Sequence, residues 1–438
     1  MGASMAGLLA AHALAKHLSR VTLIERDALP ARVGTQRRGV PQGRHAHILT
    51  AAGLQTMEKL IPGLTDSLQA DGALTPDVLG NWRYVLDGHR AMQTTLGVPA
   101  LVAGRALTES HVRDRTRELG NASFLEGHEV NELILDASTH RITGVRASLR
   151  DDPSKQKLLE ADLVIDATGR GARGLTWLKN AGLALPEEEK TTIHIVYATR
   201  HFRRGNSELG NDQVALITPT SEIRRGGAIL AQEGGSWLVT LFGYLGEEPP
   251  TDLEGFKEYA GTLVAKDIAE MLADAEPLDE GTLIRFPASR RRHYELLEDH
   301  PDGYLVVGDA LCSFNPIYGQ GMTVAAFEAE ALDACLRDRR GDPLFEGPRL
   351  AEEFYGRVTP FLHTAWATST GGDLKYPEVD GVRTPEQEQA NAFIRQVYQA
   401  ASRDDEVSRQ VVRLLNFLDR PDALQDPVFV ERVQKSTV

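Results

Sequence analysis

The sequence has little of what would place it in several common classes of protein. It contains only Cys312 and Cys335, which argues against a disulfide framework and favours a reduced, cytoplasmic setting. No apolar run approaches the roughly 20 residues that cross a bilayer, and no secretory signal pattern is present at the N-terminus. Basic residues are outnumbered, 48 Lys and Arg against 62 Asp and Glu. The resulting net charge of −14 repels phosphate backbones, so nucleic acid is not an expected partner.

Motifs for two common kinds of catalysis are also missing. The chain has no Gly-x-Ser-x-Gly turn, which presents the nucleophilic serine of many hydrolases, and no Gly-x-x-x-x-Gly-Lys loop for nucleotide phosphates. Its 438 residues, 42% hydrophobic and 25% charged, have an ordinary globular composition. A chain of this length exceeds one simple core, so we expect two or three compact units.

The first residues carry the fingerprint of a dinucleotide-binding fold. Gly2-x-Ser4-x-x-Gly7 opens an alanine- and leucine-rich helical stretch, and the apolar run Val21–Glu25 that follows is typical of a buried parallel strand. The small residues allow N–H groups at the helix N-terminus to approach a pyrophosphate. Glu25, at the end of the strand, can accept hydrogen bonds from the ribose of an adenosine. Loop, helix, strand and acid at this separation predict a dinucleotide site.

The fingerprint lacks the strand that ordinarily comes before it. In this fold that strand is central in the sheet, and here only Met1 precedes Gly2. Its loss would take a hydrogen-bonding partner from the neighbouring strands and an apolar layer from the core. We therefore expect the natural protein to begin upstream, with an apolar run ahead of Gly2.

A second motif, around residue 310, is more specific. The run YLVVGD from Tyr304 to Asp309 is an apolar strand that ends in Gly-Asp, and the loop PIYGQG from Pro316 to Gly321 then opens a long helix. Asp309 can accept a hydrogen bond from a ribityl hydroxyl, and the glycines let the backbone approach an isoalloxazine ring. The helix N-terminus places positive charge at the edge of the ring that becomes anionic on reduction. These residues predict a flavin.

Together the two motifs resemble those of the flavoprotein monooxygenases of the aromatic hydroxylase and squalene epoxidase type. Two further stretches, RRGVPQGRHAH at residues 37–47 and FPASRRRHY at residues 286–294, narrow the resemblance. They are similar to stretches of the bacterial FAD-dependent epoxidases of polyether and prenylated natural-product pathways. The resemblance covers nearly the whole chain, and its flavin motifs are specific for FAD but not for a substrate.

The resemblance implies an α/β chain, α+β overall, with a Rossmann-like FAD-binding domain of the glutathione-reductase and aromatic-hydroxylase type. An antiparallel-sheet substrate domain and a C-terminal helical region complete it. The strand composition of residues 191–245 agrees with the substrate domain. The expected divisions are 1–74, 101–180 and 284–345 for the FAD-binding domain, 75–100 and 181–283 for the substrate domain, and 346–438 for the helical region.

A stripe of apolar residues at helical spacing near the C-terminus permits two interpretations. It would bind a partner if it faced solvent, and it would pack onto the rest of the chain if it faced inward. We expect the second. The stripe consists of Val407, Val411, Leu414, Leu415 and Leu418.

The resemblance also implies a set of FAD-binding residues. Arg105 should reach the pyrophosphate and Val130 should offer backbone groups to the adenine. Residues 163–170, LVIDATGR, match the middle flavin motif but depart from the Asp-Gly form of the aromatic hydroxylases. We expect Glu25 to hold a more exposed part of the cofactor than Asp309 does. The full expected set is Gly2, Ser4, Met5, Ala6, Gly7, Glu25, Arg26, Arg44, His45, Arg105, Val130, Gly169, Gly308, Asp309, Pro316, Gly319, Gln320, Gly321 and Met322.

Four aromatic side chains are candidates for a substrate pocket, although aromatic residues in such positions are more often part of the core. They are Tyr197, Phe242, Phe314 and Trp366.

Two polar clusters have open interpretations. His45-x-His47 would supply two ligands to a metal, but no third ligand is apparent, so we prefer loop histidines beside the flavin or surface histidines. The run of three arginines at residues 290–292 would bind the phosphate of a nicotinamide cofactor or form a solvated basic face, with one arginine paired to Glu295.

The resemblance implies oxygen transfer by the flavin itself. NADPH or NADH, directly or through a partner flavin reductase, would reduce FAD, and a C4a-hydroperoxide formed with O2 would pass one oxygen atom to a hydrophobic small molecule. The protein would bind FAD, exclude water and hold the substrate, with no catalytic acid, base or metal of its own. We expect alkene epoxidation of a natural-product intermediate, with aromatic hydroxylation as the alternative. A flavin reductase of isoprenoid double bonds and a flavin-fold binding protein without a redox role are two further interpretations.

Overall fold

The structure, a computed structural model, describes residues 1–205, 209–339 and 349–437. The helices are α1 Met5–Ala15, α2 Ala51–Leu60, α3 Leu64–Ala70, α4 Arg105–Arg117, α5 Arg173–Asn180, α6 Leu253–Gly261, α7 Asp267–Leu272, α8 Gly321–Arg337, α9 Leu350–Asp373, α10 Pro385–Ala401, α11 Asp405–Leu415 and α12 Pro427–Thr437. The strands are β1 Val21–Glu25, β2 Trp82–Leu86, β3 His89–Arg90, β4 Ala122–Glu126, β5 His128–Asp136, β6 Arg141–Leu149, β7 Asp152–Glu160, β8 Val164–Asp166, β9 Glu188–Arg203, β10 Val214–Ile217, β11 Arg225–Gln232, β12 Ser236–Gly243, β13 Thr282–Arg292, β14 Tyr304–Val306 and β15 Cys312–Ser313.

Two pairs of parallel strands carry the flavin motifs. β1 pairs with β4, and β8 pairs with β14. The first two residues lie between these pairs, because the N–H of Gly2 donates to the carbonyl of Ile24 at 2.9 Å and the amino group of Met1 donates to the carbonyl of Ile165 at 2.7 Å. Helices α1, α4 and α8 pack around the strands in one apolar core. The three-stranded antiparallel sheet β5–β6–β7 completes this part.

A large sheet forms the second part of the molecule. Its eight strands have the order β15-β13-β9-β12-β11-β10-β2-β3, and all neighbours are antiparallel except β10 and β2. The β-branched and aromatic residues of these strands form a second core with α6, α7, α10, α11 and α12. The sheet therefore supplies a wide apolar surface that the C-terminal helices partly cover.

The predicted fold class is confirmed, a mixed α/β flavin-type fold with a large sheet and a helical C-terminal region. The strand β13 was not predicted from its composition, because four arginines among its residues hide the apolar alternation of a strand. It forms through ten paired positions with β9, from Thr282 opposite Thr199 to Arg292 opposite Glu188. The expected boundary at residues 345–346 lies outside the described residues. No helix in the described ranges is long and apolar enough to cross a membrane.

The C-terminal stripe faces inward, as expected. Val407 and Val411 are 0% and 3% exposed in the core beneath the large sheet. Leu414 and Leu415 line the central cavity described below. Packing onto the rest of the chain is thus the interpretation that the structure supports.

We predict that Val407→Ala lowers the free energy of unfolding by about 1.5–3 kcal/mol, because it removes buried methyl groups and leaves a cavity. Val428→Ala, in which the replaced side chain is 75% exposed on α12, is the matched control and should change it by less than about 0.5 kcal/mol. Urea denaturation measures both. Equal, small changes would contradict the inward orientation of the stripe.

Candidate functional site

One cavity of about 560 Å³ brings the two sequence motifs together. Residues of the loop before α1 and of the loop before α8 line it on one side. Apolar residues of the large sheet and of α10 and α11 line it on the other. The cavity thus extends from the dinucleotide fingerprint to the core between the sheet and the C-terminal helices.

The fingerprint loop has room only for glycine at its two ends. Gly2 has a φ of +89°, and a Cβ there would lie 2.4 Å from the carbonyl oxygen of Ala167. A Cβ on Gly7 would lie 1.9 Å from the carbonyl oxygen of Gly2. Ser4 precedes α1 without capping it, and its hydroxyl donates to Glu109 instead, at 2.9 Å. The free N–H groups of the first helical turn remain available to an anion.

Both oxygens of the Glu25 carboxyl group accept hydrogen bonds from the backbone. One carboxyl oxygen accepts the N–H of Ala3 at 2.9 Å and the other accepts the N–H of Asp27 at 3.1 Å. Glu25 is 5% exposed and Asp309 is half-buried, so Glu25 is the more deeply buried of the two side chains. The loop after β1 folds back over the carboxyl group and places Arg37 Nη1 3.3 Å from it.

A buried ion cluster lies beside this loop. Glu109 of α4 is 2.6 Å from Arg37 Nε, 2.8 Å from Arg105 Nη2 and 4.0 Å from Arg113 Nη1. Burial alone would raise the pKa of Glu109, but the guanidinium groups of Arg105 and Arg37 lower it below its ordinary value. Glu109 was not among the expected site residues, and Arg37 was noted only as part of a motif. The spacing of Arg105 and Glu109, four residues apart on one helix, was the available signal.

The cluster fits a pyrophosphate. It contains three buried guanidinium groups, from Arg37, Arg105 and Arg113, against the two carboxylates of Glu25 and Glu109. Arg105 Nη1 is buried and has no hydrogen-bond partner within the described residues. A buried donor without an acceptor is costly, so the surplus of positive charge favours a bound anion at this end of the cavity.

The second motif presents a free carboxyl group and an open loop. Gly308 has a φ of +63°, and a Cβ there would lie 2.7 Å from Ala6 Cβ, so the two motif loops approach closely. The Asp309 carboxyl makes no hydrogen bond to any residue that the structure describes, and burial raises its pKa. A Cβ on Gly321 would meet no atom within 4 Å. The loop therefore leaves space for a flat ring, with a carboxyl group able to accept from a ribityl hydroxyl.

Most of the expected site residues line this cavity. Gly7 lies beneath the loop instead, in the close packing described above. Arg44 is exposed at the end of a short 3-10 turn and does not line the cavity. Trp366 is buried in the core around α1 and α8 and does not line it either. The residues that line it are Gly2, Ser4, Met5, Ala6, Glu25, Arg26, His45, Arg105, Val130, Gly169, Tyr197, Phe242, Gly308, Asp309, Phe314, Pro316, Gly319, Gln320, Gly321 and Met322.

The two histidines are loop histidines beside the cavity. His45 Nδ1 is hydrogen-bonded to Thr199 Oγ1 at 2.7 Å, and His47 Nδ1 lies 2.9 Å from the carbonyl oxygen of His45. Burial lowers the pKa of both histidines to about 4. Both rings are therefore neutral at pH 7.

The three arginines at residues 290–292 form ion pairs with acidic residues. Arg291 is 2.6 Å from Glu295, the pairing expected for one of them. Arg290 and Arg292 both contact Glu188 at the start of β9. Because Arg291 and Arg292 are buried, the interpretation as a solvated basic face is wrong.

The chain is similar to known flavoproteins. A family model described as "FAD binding domain" matches residues 1–338. Protein Rv3254 of Mycobacterium tuberculosis (strain ATCC 25618 / H37Rv) is 32% identical over 436 residues, covering 96% of this chain and 89% of that protein. A flavoprotein/dehydrogenase from Cytophaga hutchinsonii superposes with a TM-score of 0.66 at 16% identity, covering 100% of this chain and 95% of its own. PqsL, a probable FAD-dependent monooxygenase from Pseudomonas aeruginosa, gives 0.63 at 17% identity, covering 86% and 95%. These two structural matches show a shared fold.

We predict that Asp309→Ala weakens FAD binding by the equivalent of about 1–3 kcal/mol, the effect of one lost hydrogen bond. The melting temperature of the apoprotein should not fall, because this carboxyl has no protein partner in the described structure. Asp309→Asn keeps an acceptor and is the matched control. Fluorescence titration of the apoprotein with FAD gives the affinities.

Glu25→Ala should behave differently from Asp309→Ala. It removes the acceptor of two backbone N–H groups, so the melting temperature of the apoprotein should fall together with FAD affinity. If Asp309→Ala lowered that temperature as much as Glu25→Ala, the distinction between a free and a structural carboxyl group would be wrong.

A buried acid accepts a hydrogen bond from the second motif. Glu328 of α8 is 1% exposed, and its Oε2 accepts the N–H of Gly308 at 2.7 Å. Its Oε1 is buried without a hydrogen-bond partner among the described residues. Burial raises the pKa of Glu328 to about 8, so the carboxyl group carries a proton at neutral pH.

We predict a pH dependence of stability from Glu328. The pKa of Glu328 in the folded protein, about 8, lies above the ordinary value of 4.5. The stability that this raised pKa contributes is therefore fully present below pH 4.5 and is lost as the pH rises through 8. Relative to Glu328→Gln, the free energy of unfolding of the unmodified protein should fall between pH 5 and pH 8 by up to about 1.4 kcal/mol per pH unit. Denaturation curves at three pH values measure the difference, and parallel pH profiles would exclude a protonated Glu328.

Proposed function

This chain belongs to the FAD-binding-domain family, and from that premise we propose that it is an FAD-dependent monooxygenase that epoxidises an alkene of a hydrophobic small molecule. One oxygen atom of O2 enters the product, and FAD, when bound and reduced, supplies the chemistry that activates O2. The substrate class in this proposal is a natural-product intermediate of the polyketide or prenylated type. Aromatic hydroxylation is the second candidate, because the same cavity would hold an aromatic ring.

The shape and polarity of the cavity carry the proposal. The flavin motifs and the apolar surface of the large sheet line the same space. None of the residues that the sheet contributes to the lining is charged: Trp82, Tyr84, Leu86, Tyr197, Leu216, Ile217, Gly227, Ala228, Thr240, Phe242, Ile284, Phe286 and Ser313. An apolar substrate can therefore lie beside the loop at residues 316–321 without contacting a charged side chain of the sheet.

The tasks of the protein in this proposal are binding and exclusion. Arg37 and Arg105 would hold the pyrophosphate, and Asp309 a ribityl hydroxyl. Val397 of α10 and Leu414 of α11 line the cavity and would help to exclude water from the reacting atoms. His45 and His47 are neutral, since burial lowers the pKa of each to about 4, so neither provides an imidazolium ion beside the ring at pH 7.

The electron donor in the proposal is NADPH or NADH, acting directly or through a separate flavin reductase. A direct donor would reduce the purified holoprotein in the absence of any other protein. If neither nicotinamide bleached the flavin absorbance, a partner reductase would be required.

The decisive experiment follows the origin of the oxygen atom. The holoprotein, NADPH and ¹⁸O2 are incubated with a set of hydrophobic alkenes and, in parallel, phenols, and the products are analysed by mass spectrometry. We expect one ¹⁸O atom in an epoxide, and none when ¹⁶O2 is used with H2¹⁸O. Labelled phenolic products alone would favour hydroxylation. Oxidation of NADPH without consumption of O2 would indicate reduction of a double bond, and failure to bind FAD would indicate a binding protein without a redox role.

A further inference from the structure

The long helix α9 ends at a buried acid beside the second flavin motif. Asp373, its last residue, is 0% exposed. Its Oδ1 accepts hydrogen bonds from the Tyr244 hydroxyl at 2.8 Å, from Asn315 Nδ2 at 2.7 Å and from the Tyr318 hydroxyl at 3.5 Å. Its Oδ2 is buried without a partner in the part of the chain that the structure describes. One carboxyl oxygen thus joins α9, the end of β12 and the flavin loop.

Asn315 connects this acid to the shape of the loop. Its side-chain oxygen accepts the N–H of Ile317 at 3.2 Å, which starts the 3-10 turn at Pro316, and lies 3.4 Å from the Tyr197 hydroxyl. Its Nδ2 donates to Asp373. Both hydrogen-bonding ends of the amide are therefore used, and the side chain is completely buried. Nδ2 also donates to the Tyr244 hydroxyl at 2.7 Å, and that hydroxyl is itself hydrogen-bonded to Asp373. A change at Asp373 therefore removes one acceptor of this amide and the partner of the other.

Tyr318 makes a second connection on the same loop. A Cβ on Gly372, the residue before Asp373, would lie 2.0 Å from the Tyr318 hydroxyl. The last turn of α9 therefore packs directly against this tyrosine. Asn315 and Tyr318 both line the cavity, whereas Asp373 is not part of the lining. Among the described hydrogen-bond partners of the Asp373 carboxyl group, Asn315 and Tyr318 are thus the two that line the cavity.

The connection joins a residue outside the region matched by the family model to a loop inside that region. The match to the family model ends at residue 338, and Asp373 lies beyond it. The loop that it contacts lies within the matched region, directly before Gly319 and Gly321. Burial raises the pKa of Asp373 to about 7, so a buried carboxyl group is retained here at an energetic cost that its contacts must offset.

We propose that Asp373 is a positioning residue for the flavin, one that holds residues 315–321 in the conformation that receives the ring by accepting hydrogen bonds from Asn315 and Tyr318. The C-terminal helical region is then part of the flavin site, although it lies outside the matched family region. The role is indirect, since Asp373 does not itself reach the cavity.

The first test compares FAD affinity and stability in matched variants. Asp373→Ala should weaken FAD binding by about tenfold or more, as expected for the loss of hydrogen bonds to a buried carboxyl group. Asp373→Asn keeps an Oδ1 acceptor and should stay within about threefold of the unmodified protein. Ser369→Ala is the control, because Ser369 is also fully buried on α9, four residues earlier, and does not line the cavity. Fluorescence titration of each apoprotein with FAD gives the affinities, and thermal melting of the apoproteins gives the stabilities.

The outcomes separate positioning from a general structural role. Loss of affinity in Asp373→Ala, restored in Asp373→Asn and absent in Ser369→Ala, supports the proposal. An affinity within about twofold of the unmodified protein in Asp373→Ala would overturn it. Equal losses in Asp373→Ala and Ser369→Ala, following the fall in melting temperature, would overturn it as well.

A double-mutant cycle keeps the proposal testable if Asp373→Ala does not fold. Asp373→Ser, which removes the carboxyl group but leaves a hydroxyl in the buried site, and Tyr318→Phe are made singly and together, and FAD affinity and the visible absorbance spectrum of the bound flavin are measured. Coupling through the loop predicts that the change in binding free energy of the double variant differs clearly from the sum of the changes in the two single variants. It also predicts a shifted flavin spectrum in each single variant. Additive losses with an unchanged spectrum would show that Asp373 does not act on the flavin through Tyr318.

Discussion

The close approach of two glycine-containing loops is the constraint on which the rest of the structure depends. A Cβ at Gly308 would come within 2.7 Å of Ala6 Cβ, and a Cβ at Gly7 would come within 1.9 Å of the carbonyl oxygen of Gly2. These contacts place the first turn of α1 and the end of β14 at one edge of the parallel strands. A long cofactor can lie across both loops only because side chains are missing there.

The cavity changes in electrostatic character along its length. At the fingerprint end, the guanidinium groups of Arg37, Arg105 and Arg113 outnumber the carboxylates of Glu25 and Glu109. At the other end, the lining from the large sheet carries no charge. An anionic pyrophosphate is stabilised at the first end, and an apolar substrate avoids desolvation of charged groups at the second. In the proposed function, the pyrophosphate of the cofactor lies against the arginines and the substrate lies against the sheet.

The C-terminal region completes this space from a part of the chain outside the matched family region. Leu414 and Leu415 of α11 line the cavity, and Asp373 of α9 contacts the loop of the second motif. Helices that follow residue 349 thus contribute both to the cavity lining and to the contacts of that loop. Comparison of family members over the first 338 residues would not include either feature.

The sequence by itself was enough to determine the fold class and the cofactor. Local motifs such as Gly2-x-Ser4-x-x-Gly7 and Gly308-Asp309 identify them because backbone geometry at a tight turn depends on the nearest residues. Residues whose role depends on distant partners were not predictable in the same way. Glu109 and Asp373 lie in ordinary helical sequence, and only packing brings them to Arg37 and Asn315. Arg44 and Trp366 had suitable chemistry and position in the chain, but tertiary structure turned one to solvent and the other into the core. Burial and long-range contacts are properties of the folded chain, so only the tertiary structure decided which polar groups meet in the cavity.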